Sequence, residues 1–220
     1  MTKKRAFLTI AACCGALGLS LTGASPASAT GPIAGYSAQT TNVVSVTATV
    51  VLPTFTCTRA EHLLIFVTSG GATATGEAGI ELGCGRYRTP TMQAIAYVPV
   101  AGSFQSGQTV DLTVTCGSTG VTSSVENVTT GHDFSDTVPG AATCSGFIVG
   151  EYDLVGSTGL RLHPGPIPHF STITFSNVTV NGGPLSSTSP SASNYYANRR
   201  NQILTGPIVG AGNEFVTTRD

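Results

Sequence analysis

The stretch CSGFIVGEY, Cys144–Tyr152, predicts a buried strand that carries a carboxylate near its end. Its middle, Phe147–Val149, consists of aromatic and β-branched residues, which favour strands. Glu151 supplies the carboxylate. Because successive side chains of a strand point to opposite faces, a shift of one residue would move this acid to the other side of the sheet. The face that Glu151 occupies therefore decides what the strand can do.

The same alternation runs through the rest of the chain, and helical periodicity is nearly absent. His62–Ser69 is almost continuously apolar, which is typical of a strand buried on both faces. Gly117–Gly120 separates two alternating runs, Gln108–Cys116 and Val121–Thr130, and predicts a hairpin. Further strands are predicted at Val43–Pro53, Met92–Val100, Ser171–Val180 and from Asn213 to near the C-terminus.

Many short strands with glycine-rich turns predict an all-β fold, an antiparallel β-sandwich. We expect one domain at residues 30–220, since 220 − 29 = 191 residues are enough for a single core. Within this domain, the serine-rich segment Gly182–Ser193 is of low complexity, and we predict a mobile surface loop there.

The first 29 residues have the features of an export signal. Lys3, Lys4 and Arg5 precede an apolar run, and Ala27–Ala29 is a small-residue cleavage site. The run is short, so we expect secretion to the extracellular space and no stable membrane span. An alternative is a lipoprotein, in which Cys13 would be lipidated.

Charge and composition narrow the classes of partner. Removal of three basic residues with the signal leaves 7 basic and 11 acidic residues, a net charge of −4. No basic patch is present, so we expect no nucleic-acid partner. The abundance of Thr, Ser, Gly and Val suits an exported β protein. We expect a monomer that needs no cofactor.

Four cysteines remain after cleavage, and they allow three disulfide pairings. Because export leads to an oxidising compartment, we expect two disulfides and predict Cys57–Cys84 and Cys116–Cys144. Free buried thiols are the alternative. A zinc site is disfavoured because no two cysteines have the CxxC spacing.

Several segments, taken in order, resemble the eqolisins, a family of secreted glutamic peptidases, and CSGFIVGEY resembles the strand that carries the catalytic glutamate of that family. The resemblance implies a sandwich of the concanavalin A-like lectin/glucanase type, with two large sheets and a concave cleft. The other matching segments are GPIAGYSAQ (Gly31–Gln39), VTATVVLPTFTC (Val46–Cys57), GIELGC (Gly79–Cys84), AIAYVP (Ala94–Pro99) and HFSTITFSNVTVNG (His169–Gly182).

Eqolisins use a glutamate as general base on water and a glutamine that stabilises the oxyanion. Carried over by residue, the glutamine position falls on Glu81, or on Ile80 if the segments are counted without a gap. The glutamate position falls on Gly150, one residue before Glu151. A third acid of the family falls on Ala96, and the chain has no tryptophan, although the family's cleft is rich in tryptophan.

Two functions follow from these positions. A β-bulge at Gly150 would turn Glu151 into the cleft, and Glu81 with Glu151 would form a catalytic pair that hydrolyses peptide bonds at acidic pH without a metal. Alternatively, Glu151 and Asp153 lie in solvent, and the cleft of a non-catalytic protein binds a peptide or a glycan. A glycoside hydrolase is a third possibility, in which Glu151 and Asp153 would need a further acid where Gly156 stands.

Overall fold

The structure is a computed structural model that describes residues 29–31, 33–71, 74–85, 87–100, 104–140, 143–153, 166–198 and 201–220. The predicted export signal, up to residue 28, and Gly156 lie outside the described residues. No helix within the described ranges is both long and apolar enough to cross a membrane.

The described chain forms eighteen strands and one 3-10 turn. The strands are Ala29–Gly31 (β1), Ile33–Val43 (β2), Ser45–Val51 (β3), Phe55–Thr56 (β4), His62–Gly70 (β5), Thr75–Cys84 (β6), Pro90–Ala96 (β7), Val98–Val100 (β8), Thr109–Gly117 (β9), Gly120–Asn127 (β10), His132–Pro139 (β11), Cys144–Tyr152 (β12), His169–Phe170 (β13), Thr172–Val180 (β14), Gly183–Pro184 (β15), Ser191–Asn198 (β16), Asn201–Thr205 (β17) and Phe215–Arg219 (β18).

Fourteen of the strands follow one hydrogen-bonded path, β11-β10-β9-β3-β14-β18-β17-β16-β2-β12-β5-β6-β7-β8. Beside this path β1 pairs with β16 and β15 with β14, while β4 and β13 form a separate two-stranded sheet. The path folds over on itself, so that its first six strands, from β11 to β18, form a first layer and its last six, from β2 to β8, a second. The Tyr36 ring on β2 meets the Phe215 ring on β18 edge-on, with centroids 4.9 Å apart. The predicted all-β antiparallel sandwich is therefore confirmed.

The predicted hairpin and the buried strand both form. β9 and β10 pair antiparallel, with Gly117 opposite Gly120 at the turn. In β5, the seven residues between its two ends are all buried. Its apolar side chains are buried on both faces of the second layer, which explains why His62–Gly70 is apolar without alternation.

Both predicted disulfides are confirmed. Cys57–Cys84 ties the end of β6 to the segment before β5, and its Cα atoms are 5.6 Å apart. Cys116–Cys144 joins β9 in the first layer to β12 in the second, with Cα atoms 6.2 Å apart. The second disulfide therefore crosslinks the two layers at the start of the strand that carries Glu151.

The serine-rich segment Gly182–Ser193 is more regular than predicted. It contains β15, the 3-10 turn Leu185–Thr188 and the start of β16. Leu185 has no exposed surface and packs into the core, so one apolar residue anchors the polar segment. Backbone bonding adds to this order, since the Ser186 amide donates to the Gly212 carbonyl at 2.9 Å.

Candidate functional site

Strand register divides the second layer into two faces. On β12, β5, β6 and β7, one row of paired residues is Glu151, Ile65, Ile80 and Ala94. The next row is Tyr152, Leu64, Glu81 and Gln93. Adjacent rows point to opposite faces. We call the face of the first row the core face, because it packs against the first layer, and the face of the second row the outer face.

Glu151 lies on the core face. Its side chain is 0% exposed, and the Thr217 hydroxyl on β18 donates a hydrogen bond to its Oε1. Its Oε2 has no hydrogen-bond partner among the described residues. Burial raises the pKa of the Glu151 carboxyl to about 8, although the bond from Thr217 opposes this shift. Glu151 is therefore a neutral, buried acid at acidic and neutral pH.

The structure does not bring Glu81 and Glu151 together, because the two carboxyl groups lie on opposite faces of the layer. The bulge expected at Gly150 is absent: pairing with β2 runs without a shift from Gly146 to Tyr152. The alternative prediction, that Glu151 and Asp153 lie in solvent, is also wrong, since both are buried. Because Phe147–Val149 places apolar residues on both faces of β12, alternation could not show which face Glu151 occupies.

Gly150 faces outward at a point where two backbones nearly touch. A Cβ atom added to Gly150 would lie 2.0 Å from the carbonyl oxygen of Ala34. Opposite it on β2 stands Gly35, with φ +136°, a conformation that favours glycine. This close approach excludes a glutamate side chain at position 150 unless the strands separate.

Substitution tests this close approach directly. We expect Gly150→Ala to lower the free energy of unfolding by about 1–3 kcal/mol, as overpacking does. Gly117→Ala is the control, because its added Cβ would have no neighbour nearer than 3.7 Å. Urea unfolding of both variants measures the difference. Equal stability of the two variants would show that the strands can separate, and Gly150→Glu would then be a feasible restoration of the catalytic acid.

Glu81 lies on the outer face within a polar group of three residues. Its Oε1 is 2.8 Å from Nδ1 of His62, and the Gln93 side-chain amide donates to its Oε2. The hydrogen bond with His62 lowers the pKa of Glu81 and raises the pKa of His62. Sequence reasoning found Glu81 but missed His62 and Gln93, although outward alternation along three neighbouring strands could have placed them on one face.

A second carboxyl group, Glu77, lies on the same face. Glu77 lies on β6, four residues before Glu81, and the Tyr152 hydroxyl donates to it at 3.2 Å. Burial raises the pKa of Glu77 to about 7. The sequence prediction did not include Glu77. Its spacing of four residues from Glu81 was the available signal, because residues i and i+4 of a strand share a face.

An apolar group separates the two carboxyl groups. Leu64, Phe66 and Ile95 form a buried cluster of their own on the outer face. The Tyr152 ring meets the Phe66 ring edge-on with centroids 4.7 Å apart. Ile33, Ile148 and Tyr152 are partly exposed and pack against this cluster, so the outer face presents their hydrophobic surface beside fixed acidic and amide groups. Among the described residues, no three His, Cys, Asp or Glu side chains converge as metal ligands.

Comparison with known proteins identifies the framework. The model of the Peptidase A4 family matches residues 31–219. Scytalido-glutamic peptidase, solved with a transition state analog inhibitor, is similar with 16% identity and a TM-score of 0.66, over 86% of this chain and 98% of that chain. SCP-B, an eqolisin peptidase solved with the tripeptide Ala-Ile-His, is similar with 16% identity and a TM-score of 0.67 over the same shares. No curated protein sequence matches the chain. The chain belongs to the Peptidase A4 family, the eqolisins.

Proposed function

We propose that this chain is a secreted member of its family that binds extended polypeptide on the outer face and has lost the glutamate-based acid hydrolysis of the eqolisins. The observation that carries the proposal is the placement of the acids. Glu151 is in the core, and Gly150, the position that the family resemblance assigns to the catalytic glutamate, has no room for a side chain. Among the described residues, no second carboxyl group bonds to Glu81 or to its partners His62 and Gln93.

The outer face has the composition of a peptide site. Ile33 and Ile148, which are partly exposed and pack against the buried cluster, can cover hydrophobic side chains, while Glu77 and Gln93 can bond to main-chain amides. Solved eqolisins accommodate a peptide-like inhibitor or a tripeptide. A glycan is less favoured, because sugar rings stack on aromatic faces, and the Tyr152 ring is already packed edge-on against Phe66.

The export of the chain is part of the proposal. Two disulfides suit an oxidising compartment, and the N-terminal sequence has the features of a signal peptide. Mass spectrometry of the exported protein tests this directly: a mature N-terminus at Thr30 is the expected result. A retained N-terminus, or a lipid on Cys13, would contradict secretion in soluble form.

Binding and hydrolysis can be measured separately. We expect fluorescently labelled peptides from casein to bind the protein, and Ile148→Glu on the outer face to weaken binding about 10-fold or more, because it places a charge in the apolar surface. Val51→Glu is the control, since Val51 is 50% exposed on β3 of the other layer. Equal affinity of both variants, or no binding by the native protein, would contradict the proposal.

The loss of acid hydrolysis has its own test. Casein incubated with the protein between about pH 2 and pH 5, followed by mass spectrometry, should remain intact. Cleavage in this range that is abolished by Glu81→Gln would overturn the proposal, because it would show that a carboxylate mechanism operates without a second acid beside Glu81.

A further inference from the structure

His62, Glu81 and Gln93 form a hydrogen-bonded chain at one end of β5, β6 and β7. Glu81 is held at both oxygens, by Nδ1 of His62 and by the Gln93 amide. It is therefore not a free base. The side chain of His62 is 36% exposed and that of Glu81 is 15% exposed. The histidine is thus more accessible to solvent and ligands than the carboxylate that it contacts.

The carboxylate fixes the state of the histidine ring. A negatively charged acceptor at Nδ1 holds the proton of neutral histidine on that atom, which leaves the lone pair on Nε2. No described residue bonds to Nε2 of His62. A carboxylate that holds the tautomer and stabilises the protonated ring is also the arrangement by which a histidine acts as general base in hydrolases.

Other charges near His62 act in the same direction. The hydrogen bond from Glu81 is the largest cause of its raised pKa, and the negative charges of Glu81 and Asp153 add to it, while burial opposes them. The glutamate thus makes His62 a stronger base than a free histidine. This effect needs neither Glu151 nor an acid at position 150.

A glycine lies close to the ring, at a point where a side chain would be crowded. Gly83 lies between His62 and Thr91 in the register of β5, β6 and β7. A Cβ atom added to Gly83 would lie 2.8 Å from the Thr91 hydroxyl and 3.9 Å from Nδ1 of His62. The absence of a side chain at Gly83 therefore leaves Thr91 and His62 in place on the outer face, with no side chain between them.

We propose that His62 is a general base for hydrolysis of acyl bonds on the outer face and that Glu81 is its positioning residue. Nε2 of His62 takes a proton from water as the water oxygen attacks the carbonyl carbon. The tetrahedral intermediate then loses its leaving group as the C–O or C–N bond breaks, and His62 returns the proton to that group. For polypeptide substrates this inference rests on the proposed binding; for small esters it does not.

Hydrolysis of p-nitrophenyl acetate by the full exported chain provides the test. We expect a rate that is proportional to protein concentration and rises with pH as His62 loses its proton. His62→Gln should lower it about 100-fold, a typical contribution of a general base. His132→Gln is the matched control, since His132 is exposed on β11 of the other layer and should leave the rate unchanged.

Glu81→Gln distinguishes a positioning role from a merely structural one. The amide oxygen can still accept from Nδ1, but the charge is gone, so the midpoint of the pH–rate profile should move to lower pH and the rate at the plateau should fall. Free imidazole should partly restore the rate of His62→Ala. A midpoint that does not move overturns the role of Glu81, and a native rate in His62→Gln overturns the inference.

The failure of this inference is distinguishable from failure of the proposed function. Peptide binding with no ester hydrolysis leaves the proposed binding intact and overturns the role of His62. Ester hydrolysis that depends on His62, in a protein that binds no peptide, supports the role of His62 and contradicts the proposed binding. Circular dichroism of each variant confirms that the compared proteins are folded.

Discussion

Between pH 4.5 and about pH 8 the free energy of unfolding is expected to fall by up to about 5 kcal/mol, owing to Glu151 alone. Below pH 4.5 the carboxyl group is protonated in both the folded and the unfolded state. As the pH rises, the unfolded chain releases this proton first, while the buried group keeps it until about pH 8. Stability is therefore greatest in acid and is lost at about 1.4 kcal/mol per pH unit across this window.

The cause is the environment of Glu151 on the core face. Among the described residues, Thr217 alone donates to the carboxyl group, and Oε2 of Glu151 has no partner. An ionised carboxylate there would lose its hydration with little compensation. The neutral acid loses much less hydration free energy. Above pH 4.5, folding is therefore accompanied by binding of a proton to Glu151.

Two other carboxyl groups, Glu77 and Glu81, also change how the free energy of unfolding depends on pH. Glu77 acts as Glu151 does, over the shorter range from 4.5 to about 7, because burial raises its pKa as well. Glu81 acts in the opposite sense, since its pKa is lowered by His62, and its contribution is lost as the pH falls through that lowered pKa. Glu81 is partly exposed, so solvent screening keeps its contribution small.

Urea unfolding from pH 4.5 to pH 9 measures this effect. Glu151→Gln keeps the acceptor for Thr217 and cannot ionise, so its stability should be nearly independent of pH apart from the contributions of Glu77 and His62, whose pKa values are also raised. Glu126→Gln, which changes an exposed carboxyl on β10, should keep the native slope. A Glu151→Gln profile parallel to that of the native protein would show that Glu151 ionises freely in the folded state.

Much of the framework was predictable because it depends on local sequence. Alternation identified several strands, among them β3, β9, β10 and β14, but not β6, β11, β16 or β17. The glycines at 117 and 120 identified the hairpin. Both disulfide pairings were predicted correctly. The order of the Gly182–Ser193 segment was not predicted, since it depends on the burial of Leu185, a single apolar residue in a polar sequence.

The site was harder to predict because it depends on register. CSGFIVGEY has apolar residues at both odd and even positions, so its pattern is the same whether Glu151 faces the core or solvent. Only pairing with β2 and β5 decides the face. The pairing of His62 with Glu81 joins residues 19 apart on different strands, and it too follows from register.

Removal of the Cys116–Cys144 disulfide is expected to lower the free energy of unfolding by about 3–4 kcal/mol. The two cysteines are 28 residues apart, and opening a loop of this length raises the entropy of the unfolded chain. Cys116→Ala with Cys144→Ala removes the bond without leaving a free thiol. Urea unfolding of this double variant measures the loss, and the reduced native protein, which lacks both disulfides, should be less stable than the double variant.

The other disulfide, Cys57–Cys84, is expected to affect both stability and ester hydrolysis. Cys57–Cys84 closes a loop of similar length, 27 residues, so its removal should lower stability by a similar amount. It also fixes the end of β6 next to β5, where the Cys84 amide donates to the Glu61 carbonyl at 2.8 Å, one residue before His62. We therefore expect loss of Cys57–Cys84, but not of Cys116–Cys144, to reduce ester hydrolysis at a temperature where both variants are folded. Equal rates would show that strand pairing alone holds His62 against Glu81.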